Sequence, residues 1–321
     1  MKPDLRKNHK RSTIAAKMAL QTAEQALGPN HPKVATGRNN LAVLYYAEGK
    51  YAEAEILLKK ALLFWELTHG AYDLDLAASL NNLAEVHRGQ GHLGLAAALL
   101  ARALAICEKA LGPDHPDVAT SLHNIAALYC DQAQYAPAER FLQRALEISE
   151  KAVGPNHPDV AICLNNLAEV HRAQGQHKIA ALLLARALEI SEEALGPDHP
   201  EVATNLNNLA LLYLAREQYA EAEPLLHRAL AISKRTLGPV HPDVATSLHN
   251  LAALYRGKAK YRQAERLHKR ALKINEKSLG LNHPSVAISL KRLAVLYRDM
   301  NRPNEAEPLE KRASIILATR K

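Results

Sequence analysis

Residues 112–153 read GPDHPDVATSLHNIAALYCDQAQYAPAERFLQRALEISEKAV, and the fold follows from this stretch. Gly112 is the residue type favoured just past a helix end, and Pro113 blocks continuation of the preceding helix. Pro116 falls where a new first turn would begin, the one helical position where a missing N–H costs little. Asp117 adds an acid to that turn, favourable against the helix dipole. The spacing predicts helix A over Pro116–Asp131 and helix B over Tyr135–Val153. Val118, Leu122, Ile125, Ala126 and Tyr129 recur at helical spacing in the first. Ala138, Phe141, Leu142, Ala145, Leu146 and Ile148 do so in the second.

The same unit recurs along the chain. Gly28, Gly70, Gly112, Gly154, Gly196, Gly238 and Gly280 are spaced by 42 residues throughout. Three alanine positions, starting at Ala42, Ala54 and Ala61, are alanine in all seven units. A methyl group lets two helix axes approach closely, and a larger side chain there would overpack. One helix pair cannot bury both of its faces, but stacked pairs can. The expected fold is all-α: a superhelical α-α solenoid, with seven 42-residue pairs over residues 28–321. Residues 1–27 supply a basic N-terminus and, from residue 11, an unpaired helix B that acts as a half-repeat. Unit 2 departs from the consensus with HGAYDLDLA, and the last unit departs with Lys291, Arg292, Pro303 and Ser314. Units 2 and 4 share NNLAEVHR and LLARAL, which hints at an 84-residue duplication.

The pattern N-L-A-x-L-Y-x-x-x-G-x-Y-x-x-A-E-x-L-x-x-x-A-L resembles the tetratricopeptide repeat, at Leu41, Ala42, Tyr45, Gly49, Tyr51, Ala54, Leu58 and Ala61. The usual unit has about 34 residues, and the additional 8 here are about one further turn in each helix. The 42-residue form, with L-G-P-x-H-P-x-V-A and L-N-N-L-A, is similar to the repeats of kinesin light chain. That resemblance covers residues 11 to about 317. It implies a scaffold whose helices A line a concave groove for a protein or peptide ligand.

Composition bounds the alternatives. Of 321 residues, 48% are hydrophobic but only 4% aromatic, so the core is built from Ala and Leu. Cys107, Cys130 and Cys163 are scattered and odd in number, which suits a reduced, cytoplasmic protein. The most apolar window, Leu93 to Ile106, contains Arg102 and is too short to span a bilayer. Net charge is +8, unevenly spread: +5 over residues 1–17, +11 over residues 253–321, and −8 between them. Basic ends would suit nucleic acid or an anionic surface, an alternative disfavoured by sparse aromatic residues. The last 69 residues hold only Tyr255, Tyr261 and Tyr297 for stacking bases. No nucleophile elbow, P-loop or H-E-x-x-H motif is present, so no catalytic residue is assigned and no cofactor is expected.

Sixteen histidines invite a metal reading. Six of them, His31, His115, His157, His199, His241 and His283, fall one per repeat in the loop before helix A, too far apart to converge on one ion. Their expected role is side-chain bonding that orders the helix start. His87 and His171 replace the tyrosine of the apolar stripe and are expected in the core or at its boundary.

The candidate binding residues form an asparagine ladder on helix A. Asn40, Asn82, Asn124, Asn166, Asn208 and Asn250 occupy one position, preceded by Asn39, Asn81, Asn165 and Asn207 in four units. Asn is a poor helix former, so the ladder needs a reason. An amide both donates and accepts, so it can hold an extended peptide's backbone; it can equally bond between repeats and fix their register. By helical geometry Val34, Arg38, Leu41 and Tyr45 share one face, with Thr36, Asn40, Val43 and Ala47 opposite and Asn39 on the flank. Arg88 and Arg172 join the ladder, each with a glutamate three residues earlier. Arg256, Lys291 and Arg298 lack such a partner within their own helix and would make that end of the groove attractive to an acidic ligand.

Overall fold

The computed structural model describes residues 5–70 and 72–318, with side chains from residue 12 onward. These residues form α-helices joined by short turns, with no strand among them. Helix α1 (Leu5–Leu27) is followed by seven antiparallel pairs. They are α2 (Pro32–Ala47) with α3 (Tyr51–Thr68), α4 (Leu74–Gly89) with α5 (Leu93–Leu111), and α6 (Pro116–Asp131) with α7 (Tyr135–Val153). Then come α8 (Pro158–Ala173) with α9 (His177–Leu195), α10 (Pro200–Ala215) with α11 (Tyr219–Thr236), α12 (Pro242–Gly257) with α13 (Tyr261–Leu279), and α14 (Pro284–Asp299) with α15 (Pro303–Ala318). Residues 8–155 make one compact unit, and residues 156–318 form the body of a second.

Helices α6 and α7 carry the bounds that the prolines, glycines and apolar spacing predict. Helix α1 starts at Leu5, six residues before the repeat pattern becomes readable. Its Leu20 packs against Val34 and Leu41 of α2, and its Glu24 carboxylate holds the buried Arg38 guanidinium at 2.8 Å.

The alanine positions are the seam of the array. At all three positions, in every unit, the alanine is no more than 1% exposed. Leucine at the positions of Leu58, Leu100, Leu142, Leu184 and Leu226 fills the space beside them.

Each turn is specified locally. The six loop histidines sit at helix N-caps, and each Nδ1 accepts the backbone N–H two residues on, at 3.2 Å. Asp73 takes this place in unit 2 and accepts two N–H groups, at 2.8 and 3.1 Å. These bonds satisfy donors that the first helical turn cannot pair internally, as the sequence leads one to expect of the loop histidines. Helix A ends in a Schellman motif: Gln134 N–H donates to Tyr129 O (2.8 Å) and Ala133 N–H to Cys130 O (2.9 Å). The motif needs positive φ at Ala133, 56°, where Gly49, Gly91 and Gly175 serve in other units.

Candidate functional site: the face of the A helices

Each helix A turns one side to its own helix B and leaves the other uncovered. In α2, Val34, Arg38 and Leu41 are buried, while Thr36, Asn40, Val43 and Ala47 are exposed. The same positions stay open in α12, at Thr246, Ala253 and Gly257, and in α14, at Ile288, Arg292, Val295 and Asp299. The face is therefore small and weakly polar, bordered by tyrosines and charges.

The asparagine ladder runs between repeats. Asn82 Nδ2 donates to Asn39 Oδ1 at 3.1 Å, Asn208 to Asn165 at 3.3 Å, and Asn250 to Asn207 at 3.2 Å. The first asparagine also reaches forward: Asn165 Nδ2 donates to Asn205 Oδ1 (2.6 Å) and Asn207 Nδ2 to Ser247 Oγ (3.1 Å). Asn205 in turn donates to Ser191 Oγ of α9 at 2.7 Å. Asn207 and Asn250 are buried; Asn39, Asn81, Asn82, Asn124, Asn165 and Asn208 are half-buried; Asn40 and Asn166 are exposed. The groove reading is thereby corrected for Asn207 and Asn250, whose amides are spent on neighbouring repeats. Asn81 is the odd member, since its Oδ1 is buried with no hydrogen-bond partner.

Among the described residues, cavities open on this side in both units. One of about 180 Å³, in the unit of residues 8–155, lies among Val43, Tyr46, Asn82, Glu85 and Val86. Burial pushes the Glu85 carboxyl above the usual carboxylate range, and the Tyr46 hydroxyl is raised for the same reason. The larger, about 470 Å³, lies in the other unit among Leu211, Leu214, Tyr219, Ala253, Arg256, Gly257, Tyr261 and Asp299. Gly257 is needed there: a Cβ on it would lie 2.5 Å from a ring carbon of Tyr219.

The family model described as tetratricopeptide repeat matches residues 5–66, 34–109, 75–151, 126–193, 183–226, 201–277 and 260–316. The chain belongs to the tetratricopeptide repeat family. Among solved structures it is similar to TPR-like repeats ascribed to a kinesin light chain of Podosopora anserina, at 30% identity and TM-score 0.52. That match covers 62% of this chain and 94% of the other. Two more distant likenesses speak for the fold alone. One is the apo quorum sensor NprR from B. thuringiensis, at 15% identity and TM-score 0.70, covering 96% and 83% of the two chains. The other is Rap protein complexed with Competence and Sporulation Factor, at 15% and 0.66, covering 100% and 90%. No curated protein sequence matches the chain.

The charged residues of this tetratricopeptide array are tied to one another. Arg88 bridges Glu85 (3.1 Å) and Asp131 of the next repeat (3.3 Å), and Arg172 holds Glu169 with Nε at 2.8 Å. Arg256 pairs with Asp299 of α14, and Arg298 with Glu310 of α15 at 2.8 and 2.6 Å. Arg256 and Arg298 thus have no carboxylate partner in their own helix but find one on the next, beyond the reach of a same-helix spacing rule. Lys291 is exposed. His87 and His171 are buried, bonded to Gln90 and Gln176.

Leu211, Tyr219 and Asp299 went unnoticed in the sequence because each looks like an ordinary repeat residue. The only signal was Gly257, a glycine at the end of helix A that no turn requires. No three metal-ligating side chains come together among the described residues, and no described helix is long and apolar enough to cross a membrane.

Proposed function

We propose that the chain is a non-enzymatic, cytoplasmic scaffold that takes an extended peptide segment of a protein partner along the exposed face of its A helices. The observation that carries this reading is the cavity of about 470 Å³ between α10, α12 and α14. Its floor of Leu211, Leu214 and Ala253 suits an apolar side chain, and the Arg256–Asp299 pair at its edge offers a donor and an acceptor for backbone groups. Exposed Asn166 and Lys291 add polar groups on the A helices of the same unit, and exposed Asn40 offers the like group in the unit of residues 8–155. Exposed Lys291 favours a segment that carries an acid. Tetratricopeptide arrays are scaffolds, and the Rap relative was solved with Competence and Sporulation Factor bound; for this chain a peptide ligand is our inference.

The test is peptide selection from a random library against the full chain, followed by titration of the winners. Ala253 is exposed, so Ala253→Trp fills the cavity without touching the seam. Selected peptides should lose at least about tenfold in affinity, about 1.4 kcal/mol, with helicity and melting temperature unchanged. Peptides that bind the variant as well as the parent would place the site elsewhere.

A further inference from the structure

A second surface lies on the B helices of the unit of residues 156–318, away from the groove. Helices B are stitched to one another by a recurrent ion pair. Arg102 holds Glu66 at 2.6 Å, Arg144 holds Glu108 at 2.7 Å, Arg228 holds Glu192 at 2.5 Å, and Arg312 holds Glu276 at 2.6 Å. In each case the glutamate lies 36 residues before its arginine. Arg270 is the next arginine of this column, and the residue 36 before it is Lys234. At this one interface a lysine therefore stands where the others have a carboxylate.

The consequence is electrostatic. Burial lowers the Lys234 ammonium below the ordinary lysine range, and the facing Arg270 lowers it further. No carboxylate is paired with either cation among the described residues. Arg270 is exposed and sits in a stripe with Arg266, Lys273 and Lys277, at spacings that put all four on one side of α13. The stripe is about 16 Å long and presents no aromatic or apolar side chain, so it offers neither base stacking nor membrane insertion.

We propose that Lys234 and Arg270, with the stripe of Arg266, Lys273 and Lys277, form a docking site for an acidic polypeptide segment of a partner protein, whose carboxylate takes the place of the missing glutamate. The sibling interfaces argue for carboxylate over other anions, because a glutamate carboxylate is what this arginine column binds in each of the four. An acidic helix with carboxylates at every fourth position would match the stripe turn for turn. The site is independent of the groove and stands or falls separately from it.

The probe is a dye-labelled helical peptide with glutamate at every fourth position, read by fluorescence anisotropy on the full chain at low and moderate salt. A glutamine version of the peptide is the uncharged control. The glutamate peptide should bind, weaken with salt, and outcompete the glutamine version. Lys234→Glu recreates the ion pair of the other interfaces. It should lower affinity at least about tenfold while raising the melting temperature by about 1–3 °C. Lys151→Glu, an exposed lysine on α7, should change affinity by less than about twofold. Equal binding by Lys234→Glu and the parent overturns the proposal. So does full displacement of the peptide by millimolar inorganic phosphate, which would make this a small-oxyanion site. Tighter binding of a duplex DNA of equal charge, lost in Lys234→Glu, would replace the partner with nucleic acid. Self-association of the unliganded chain that Lys234→Glu abolishes would replace it with a second copy.

Discussion

At one helix B position the unit of residues 8–155 carries Trp65, Cys107 and Ser149, the unit of residues 156–318 carries Ser191, Ser233 and Asn275, and all six are buried. Seven residues earlier, leucine is buried in both units, at Leu58, Leu100, Leu142, Leu184 and Leu226, and only α13 differs, with buried His268. At Trp65 and Cys107 the first unit fills this seam with apolar volume. The second adds hydrogen bonds around α13 to the apolar seam it shares with the first. Asn275 Nδ2 donates to Ser289 Oγ (2.9 Å), whose hydroxyl donates to Ser285 O (2.8 Å). His249 Nε2 therefore donates to Ser289 Oγ (2.8 Å), which leaves its Nδ1 to accept from His268 Nδ1–H at 2.7 Å. The contrast teaches that this backbone accepts either chemistry where most buried polar atoms are paired, although Asn275 Oδ1 itself has no hydrogen-bond partner.

The largest expected effect comes from giving the first unit the second unit's residue. Trp65→Ser removes an indole that is 3% exposed and packed edge-on against Phe64. It should destabilise by roughly 3–5 kcal/mol, measured by urea denaturation followed by circular dichroism. A loss under about 1 kcal/mol would mean that the first unit's seam does not depend on apolar volume.

The second effect is a pH dependence confined to the second unit. Burial pushes His249 down to about 2, helped by the His268 ring and the Arg292 guanidinium, and pushes His268 down to about 4, helped by the guanidiniums of Arg292 and Arg256. Both imidazoles are neutral in the folded chain and titrate near 6.5 when it unfolds. Folded pKa values below the unfolded one give stability that is fully present above pH 6.5 and is lost as pH falls toward about 4. Between pH 7 and pH 5 the loss should be on the order of 1–3 kcal/mol. Trp65 is the only tryptophan and lies in the first unit, so its fluorescence reports that unit while circular dichroism reports both. The dichroism transition should shift to lower urea on acidification more than the fluorescence transition does. The double change His249→Asn with His268→Leu should abolish the difference.

The smallest effect sharpens the ladder. Asn207→Ala strands Asn250 Nδ2 and Ser247 Oγ in a buried seam and should cost roughly 1–3 kcal/mol. Asn81→Ala removes an amide oxygen that has no partner and should cost less than about 0.5 kcal/mol. Equal melting temperatures for the two variants would show that the bonds between repeats do not hold the register.

By itself the sequence determined the repeat length, the helix bounds and the alanine seam. It also placed His115 and its equivalents at the helix starts. These features are local or periodic, set by Gly112, Pro116 and residues three and four apart on one helix, so a linear reading contains them. Only the tertiary structure decided the pairings that cross repeats. Asn207 reaches Asn250 and Arg256 reaches Asp299, each over 43 residues. Sequence spacing ranks such residues as candidates for a ligand, because an unpartnered amide or guanidinium looks available. Stacking one helix pair on the next brings another repeat's side chain within hydrogen-bond reach, and that contact decides whether the group is left for a partner.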